Sequence, residues 1–169
     1  MNKTFLLIFA IAVAGFIGLN AWKSRAQEPA LQEKAEYEVT KTDAEWKEIL
    51  SPEAYRVLRH HDTERPGSSN INDVKEDGTF YCAGCDLPLF DSEAKFNSGT
   101  GWPSFFQPKT PEALGQEVDN KLFLPRTEVH CSRCGGHLGH VFDDGPKPTG
   151  KRFCINGVSL KFKAEEMAK

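Results

Sequence analysis

Basic residues are not in excess in this chain: 21 Lys and Arg stand against 24 Asp and Glu, a formal charge of −3. Residues 1–26 hold Lys3, Lys23 and Arg25 and no acid, so the rest is more acidic still. Without a basic stripe there is no electrostatic footprint for nucleic acid, and no nucleic-acid partner is expected. There is no low-complexity segment and no internal repeat beyond two cysteine pairs, which excludes a repeat array. At 169 residues the chain is too short for two full-sized domains. Cysteine is scarce and odd in number, so the five residues divide into four plus one. What is plentiful is aromatic surface, with twelve Phe and three Trp to build a core. Fourteen Gly and ten Pro, concentrated in the second half, point to many turns and a β-rich fold.

Phe5 to Trp22 is a nearly continuous apolar run whose one strongly polar residue is Asn20. Its length lies where a secretory hydrophobic segment and a short transmembrane helix overlap. Ser24-Arg25-Ala26 offers small residues for cleavage after Ala26, whereas Trp22-Lys23 suits an interfacial anchor. The expectation is export. Residues 1–26 form a signal peptide or N-terminal membrane anchor, 27–40 a polar linker and 41–165 the functional domain, periplasmic, otherwise extracytoplasmic, or membrane-anchored.

Two short helices follow the linker. Thr42 or Asp43 caps residues 44–50, where Trp46, Ile49 and Leu50 recur at helical spacing. Ser51-Pro52-Glu53 is an N-cap, a first-turn proline and a first-turn acid, opening a helix to about His61 with Tyr55 and Leu58 inward. Residues 62–79 lack apolar periodicity and read as a long surface loop. Strands are expected near 79–82, 88–90, 121–130, 140–143 and 152–162, with glycine-rich corners at 99–101, 135–139 and 144–150. The fold class is therefore mainly β: one antiparallel β domain with short N-terminal helices.

Cys82-x-x-Cys85 and Cys131-x-x-Cys134, separated by a long insert, have the spacing of a four-thiolate zinc site. Four thiolates leave no open coordination position, so one ion there would be structural and would contribute folding energy. In an oxidising compartment disulfides compete, but a bond within C-x-x-C closes a tight ring and is usually redox-active. A thioredoxin-like pair would need a βαβ context that this turn-rich region does not offer.

Cys154 is left over. It alternates with Arg152 and Asn156 on one face of a strand, while Phe153 and Ile155 point to the other. A neighbouring guanidinium favours the nucleophilic thiolate; the competing reading is a small buried hydrophobe. His137 and His140, in Gly-His-Leu-Gly-His, suit proton transfer near a thiol if the glycines turn the backbone sharply; a second metal site is the alternative. Asp143-Asp144-Gly145-Pro146 is a turn in which either acid is placed to orient a histidine. Trp102, on a glycine-flanked corner, either packs in the core or walls an apolar ligand pocket.

With these motifs on the page, the chain resembles the type B methionine sulfoxide reductases. The resemblance rests on CAGC (82–85), SGTGWPSF (98–105), HCSRCGGHLGHVFDDGP (130–146), RFCINGVSL (152–160) and LSPEAYRVLRHHDTERP (50–66), and spans about residues 43–163. It implies a β-tent-like fold with one structural zinc ion held by Cys82, Cys85, Cys131 and Cys134. It also implies reduction of methionine-R-sulfoxide in oxidised proteins or peptides; a thioredoxin-like thiol donor and a monomer are expected. By the resemblance Cys154 is the nucleophile and Trp102 cradles the substrate methyl group. His137 and His140 are the active-site imidazoles, Arg152 and Asn156 surround the thiol, and Asp144 supports the network. Many relatives carry a resolving cysteine where this chain has Thr100, so a one-cysteine cycle with an external donor is expected. Gly67-Ser68 departs from the apolar residue usual after Arg-Pro. Two other classes compete. A zinc-stabilised β binding module would need no Cys154 with His137, His140 and Arg152, and a Cys-His hydrolase would need an oxyanion hole.

Overall fold

The computed structural model describes residues 37–121 and 124–165. The apolar run, the cleavage site and most of the linker lie outside the described residues. Among those described, no helix is long and apolar enough to cross a membrane. Val39 already belongs to the folded part, donating its N–H to Arg133 O at 2.9 Å.

Helix α1 spans Asp43–Ile49. Thr42 caps it, and Glu45 returns the bond to the Thr42 N–H, closing a capping box. Trp46 and Leu50 are buried as expected, but Ile49 is 51% exposed. Helix α2 spans Pro52–His60, with Ser51 accepting from Ala54 N and His61 ending it in the left-handed conformation. Ala54, Tyr55, Val57 and Leu58 form its buried face.

Among the described residues nine strands follow in two antiparallel sheets. Strands β1 (Gly78–Cys82), β2 (Pro88–Asp91) and β9 (Leu160–Ala164) form a three-stranded sheet in the order β2-β1-β9. The larger sheet comprises β3 (Lys95–Phe96), β4 (Ser104–Phe105), β5 (Leu114–Asp119), β6 (Arg126–Cys131), β7 (His137–Phe142) and β8 (Arg152–Ile155). Its order is β3-β4-β8-β7-β6-β5. Phe90 stacks on Phe105 at 4.2 Å and Phe80 meets Phe105 edge-on at 5.0 Å, so the aromatic surplus becomes the core joining the sheets. The mainly β fold class holds.

Four expectations are corrected. The strand foreseen at 121–130 begins only at Arg126, and β5 before it was not foreseen. Strand β5 is an edge strand whose middle residues are exposed or half-buried, so it carries little apolar signal. The run 152–162 is broken by a 3₁₀ turn at Gly157–Ser159. Segment 62–79 is not merely a surface loop: Glu64 and Ile71 are buried, and Asn70–Asp73 is a 3₁₀ turn. Gly67, whose path the sequence left in doubt, has φ +73° and donates its N–H to Gly101 O at 2.7 Å. A Cβ on Gly101 would lie 2.7 Å from Pro66 Cβ, so only glycine lets the two loops meet.

The fourth correction concerns the histidines. Gly135 does turn the chain, with φ +66°, but His137–Phe142 is strand, not a glycine corner. Val129 pairs with Gly139 and His130 with His137, so Leu138 is an extra residue in β7. That bulge shifts the alternation by one, and residues three apart come to share a face. The rings of His137 and His140 meet edge-on at 5.6 Å.

Candidate active site

Direct cross-strand partners point to the same face of a sheet. Glu117 pairs with Glu128, Glu128 with His140, His140 with Cys154 and Cys154 with Ser104. One row across the larger sheet thus carries an acid, an imidazole and the lone thiol. The adjacent positions hold Asp119 opposite Arg126 and Phe142 opposite Arg152. On the other face Phe153 and Ile155 are buried, as the alternation in β8 required.

A cavity of about 130 Å³ opens over this row, lined by Cys154, His140, Trp102, Asn156, Phe142 and Arg126 among others. His137 is not in its lining; it lies buried behind His140, at 2% exposure. Trp102 donates its indole N–H to Glu64 O at 3.1 Å. Asn156 accepts from Glu64 N at 3.0 Å and donates to Leu138 O at 2.9 Å. The Glu64 carboxylate in turn accepts the N–H groups of Gly157 and Val158 at 2.6 and 3.0 Å. One buried glutamate therefore anchors the tryptophan wall, the asparagine and the turn after the thiol strand. Burial raises its carboxyl above the usual range, and the two amide donors pull it partly back.

Each histidine has its own carboxylate. His140 Nε2 lies 2.8 Å from Asp119 Oδ2, and His137 Nδ1 lies 2.7 Å from Glu128 Oε1. Asp119 also accepts from Lys121 N at 2.9 Å and Arg126 Nη2 at 2.6 Å. The Lys121 amide and then His140 hold its carboxyl well below the usual range. Burial would raise Glu128, but the hydrogen bonds from His137 and from His61, at 2.8 Å, outweigh it and keep that carboxyl low. His140 is itself lowered, by burial first, with Asp119 opposing. A neutral His140 that donates Nε2–H to Asp119 keeps Nδ1 free to accept a proton.

Neither acid of the 143–144 turn orients a histidine. Asp144 is exposed and grips Arg152 Nε and Nη2 at 2.8 and 2.9 Å, while Asp143 pairs with Lys151. Arg152 lies over the Phe142 ring at 4.4 Å. Burial pushes the Cys154 thiol up; the Thr100 hydroxyl and then Arg152 pull it down, without overcoming burial. The expected pull of Arg152 on the thiol is present, and burial outweighs it. Thr100 Oγ1 is 3.9 Å from Cys154 Sγ and is held by Ser98 Oγ at 2.8 Å, itself 2.8 Å from buried Ser104. Asp119, Glu128, Glu64 and His61 were not found from the sequence. Their partners stand 21, 9, 93 and 67 residues away, so no local pattern exposes them.

The other four cysteines converge. Cys82 Sγ is 3.7 Å from Cys134 Sγ, Cys85 Sγ is 3.5 Å from Cys131 Sγ, and all four sulfurs lie within 4.8 Å of one another. A tetrahedral zinc with ~2.3 Å bonds has sulfur–sulfur edges of about 3.8 Å, whereas a disulfide needs about 2.05 Å. The donor set fits a structural zinc ion. Asp86 and Gly135, each just after the second cysteine of a pair, take the left-handed conformation that folds the knuckle back. The first pair closes β1 in the smaller sheet and the second joins β6 to β7, so the site ties the two sheets together.

A SelR domain model matches residues 50–164. The chain is 54% identical over 135 residues to a peptide methionine sulfoxide reductase MsrB of Methanosarcina barkeri, covering 80% of this chain and 95% of that protein. It is 52% identical over 124 residues to the protein of that name from Agrobacterium fabrum, covering 73% and 92%. A third, from Leptospira interrogans, is 50% identical over 129 residues, covering 76% and 98%.

Proposed function

Because the chain belongs to the SelR domain family of peptide methionine sulfoxide reductases MsrB, we propose that it reduces the R epimer of peptide-bound methionine sulfoxide, with Cys154 as the attacking sulfur. The observation that carries the assignment of residues is the row placing His140 directly opposite Cys154 beneath a cavity walled by Trp102. The cavity is sized for one thioether side chain, not for a cofactor.

Cys154 rests as a thiol because burial disfavours its charge. As the sulfoxide sulfur is attacked, the thiol proton passes to Nδ1 of neutral His140, which returns it to the sulfoxide oxygen. Two electrons pass from the cysteine sulfur to the methionine sulfur. The oxygen ends on Cys154 as a sulfenic acid and methionine leaves, so no proton is gained or lost overall. Asp119 holds His140 in the required tautomer, and Glu128 fixes His137 as the buried support behind it. Arg152, clamped by Asp144, and Thr100 steady negative charge on the sulfur. Zinc, held by the four clustered cysteines, supplies rigidity to the frame that carries β7 and β8.

With four sulfurs gathered elsewhere, Cys154 has no internal thiol to resolve its sulfenic acid. Regeneration therefore falls to an external thiol donor of thioredoxin type. The apolar run at residues 5–22 supports export, cleaved or anchored, with the domain working outside the cytoplasm. On this reading the protein acts as a monomer.

The test is single-turnover reduction of separated R and S epimers of a peptide sulfoxide by the full-length chain. Stoichiometric methionine from the R epimer alone is expected; methionine from neither, with folded zinc-loaded protein, sinks the reading. The histidine assignment has its own test in Asp119→Asn. Losing the carboxylate lowers the His140 pKa further, because Asp119 is what opposes burial. The acid limb of kcat/KM should move to lower pH, with a fall of about tenfold or more at its plateau. A limb that stays or moves up removes His140 as the proton carrier.

A further inference from the structure

Beside the small cavity lies a second concavity of about 760 Å³, over the end of β6 and β7, which the mechanism above does not use. Leu124, Pro125, Val141 and Phe142 give it an apolar floor, and Leu124 is 69% exposed. It adjoins the catalytic cavity at Arg126 and Phe142, which line both, while Val141, paired with Phe153, faces the other side of the sheet. On the side of Thr100 the rim is different: the concavity there is lined by Asn97, Ser98, Asp144 and Arg152 and is polar. The two sides of the thiol thus present different chemistry to whatever extends out of the cavity.

We infer that the trough under Leu124 takes an apolar residue flanking the oxidised methionine, so that the enzyme selects sulfoxides within apolar stretches of polypeptide. This rests on the reductase reading and deepens it. A cavity of about 130 Å³ admits the sulfoxide side chain but not its neighbours in the chain, which must lie on the rim. Of the neighbouring concavities formed by the described residues, the one under Leu124 is mostly apolar, whereas those on the Trp102 and Arg152 sides are mostly polar. A second copy of this chain is a poorer fit, since seven of the described residues line the trough against the roughly 20–30 a side of a stable dimer. Methionines become buried among apolar neighbours when a protein folds, so this preference directs the enzyme to segments exposed by oxidation-driven unfolding.

The experiment compares three R-sulfoxide substrates with the full-length chain and with Leu124→Ser. They are a blocked single residue, N-acetyl-methionine-R-sulfoxide methylamide, and two pentapeptides in which Leu or Ser flanks the sulfoxide on both sides. For the native chain the Leu-flanked peptide should have the higher kcat/KM by about fivefold, the effect of removing about 40 Å² of apolar surface from water. In Leu124→Ser that preference should fall to near unity through KM. The blocked residue should be turned over equally by both proteins, and the melting temperature should not change because Leu124 is exposed. Equal rates for the two peptides, or a preference that survives Leu124→Ser, overturns the inference. So does a dimer that dissociates in Leu124→Ser, since the occupant is then a second copy. Failure of the native protein to reduce even the blocked residue instead overturns the reductase reading itself.

Discussion

Cys154→Ser should lose single-turnover methionine formation by roughly 10⁴-fold or more, the scale of removing a covalent nucleophile. The substitution changes one atom in a half-buried strand position, and the pairing partners Ser104 and His140 on either side keep their places. Folding is therefore not at stake, and melting temperature and zinc content should match the native protein. The loss is chemical. Serine oxygen cannot take up the sulfoxide oxygen and give up two electrons as the cysteine sulfur does in becoming a sulfenic acid, so the substrate has no reductant. Quantifying methionine after quenching, together with mass analysis of a trapped sulfenic acid on the native protein, gives the decisive pair of readings. Residual turnover within about tenfold of native would move the nucleophile elsewhere.

Zinc removal should have the second large effect, on folding. Cys85 and Cys131 are 46 residues apart in sequence, and a single ion joins both sheets through them. Structural zinc sites carry roughly 10–16 kcal/mol of apparent binding energy, against the about 5–15 kcal/mol that separates a whole domain from its unfolded state. Chelation under reducing conditions, or Cys131→Ser, should thus leave chains without a cooperative thermal transition and with lost near-ultraviolet circular dichroism. Restoring zinc should rescue the chelated native protein and not Cys131→Ser. A chelated, reduced protein that still melts within about 5 °C of the loaded one would mean that the four cysteines are not a structural metal site.

The same contrast, between local spacing and distant contact, runs through the rest of the molecule. A cap at Thr42 or Asp43 for α1, the proline-started α2 and the alternation in β8 were legible because each is set within a few residues. Strand β5 was not, since an edge strand with exposed middle residues has no apolar rhythm. The glycines were expected to turn the backbone and bring both imidazoles to one pocket; a single-residue bulge at Leu138 instead sets them on one strand face, and of the two only His140 lines the cavity. Asp144 was assigned to the network by the resemblance, and its carboxylate does reach Arg152, but the acids on the histidines are Asp119 and Glu128.

By itself, then, the sequence determined the β class, the paired-cysteine metal knuckles and the single cysteine left for chemistry. Each is a matter of residue type and spacing along a few consecutive positions, where steric alternation and ligand reach leave little freedom. Only the tertiary structure decided the electrostatics of that cysteine and the carboxylates that orient its imidazoles. Burial and pairing depend on groups brought from 9 to 93 residues away by sheet register. A thiol beside an arginine reads as activated along the chain. Once folded, desolvation outweighs the guanidinium and raises the thiol above its ordinary range.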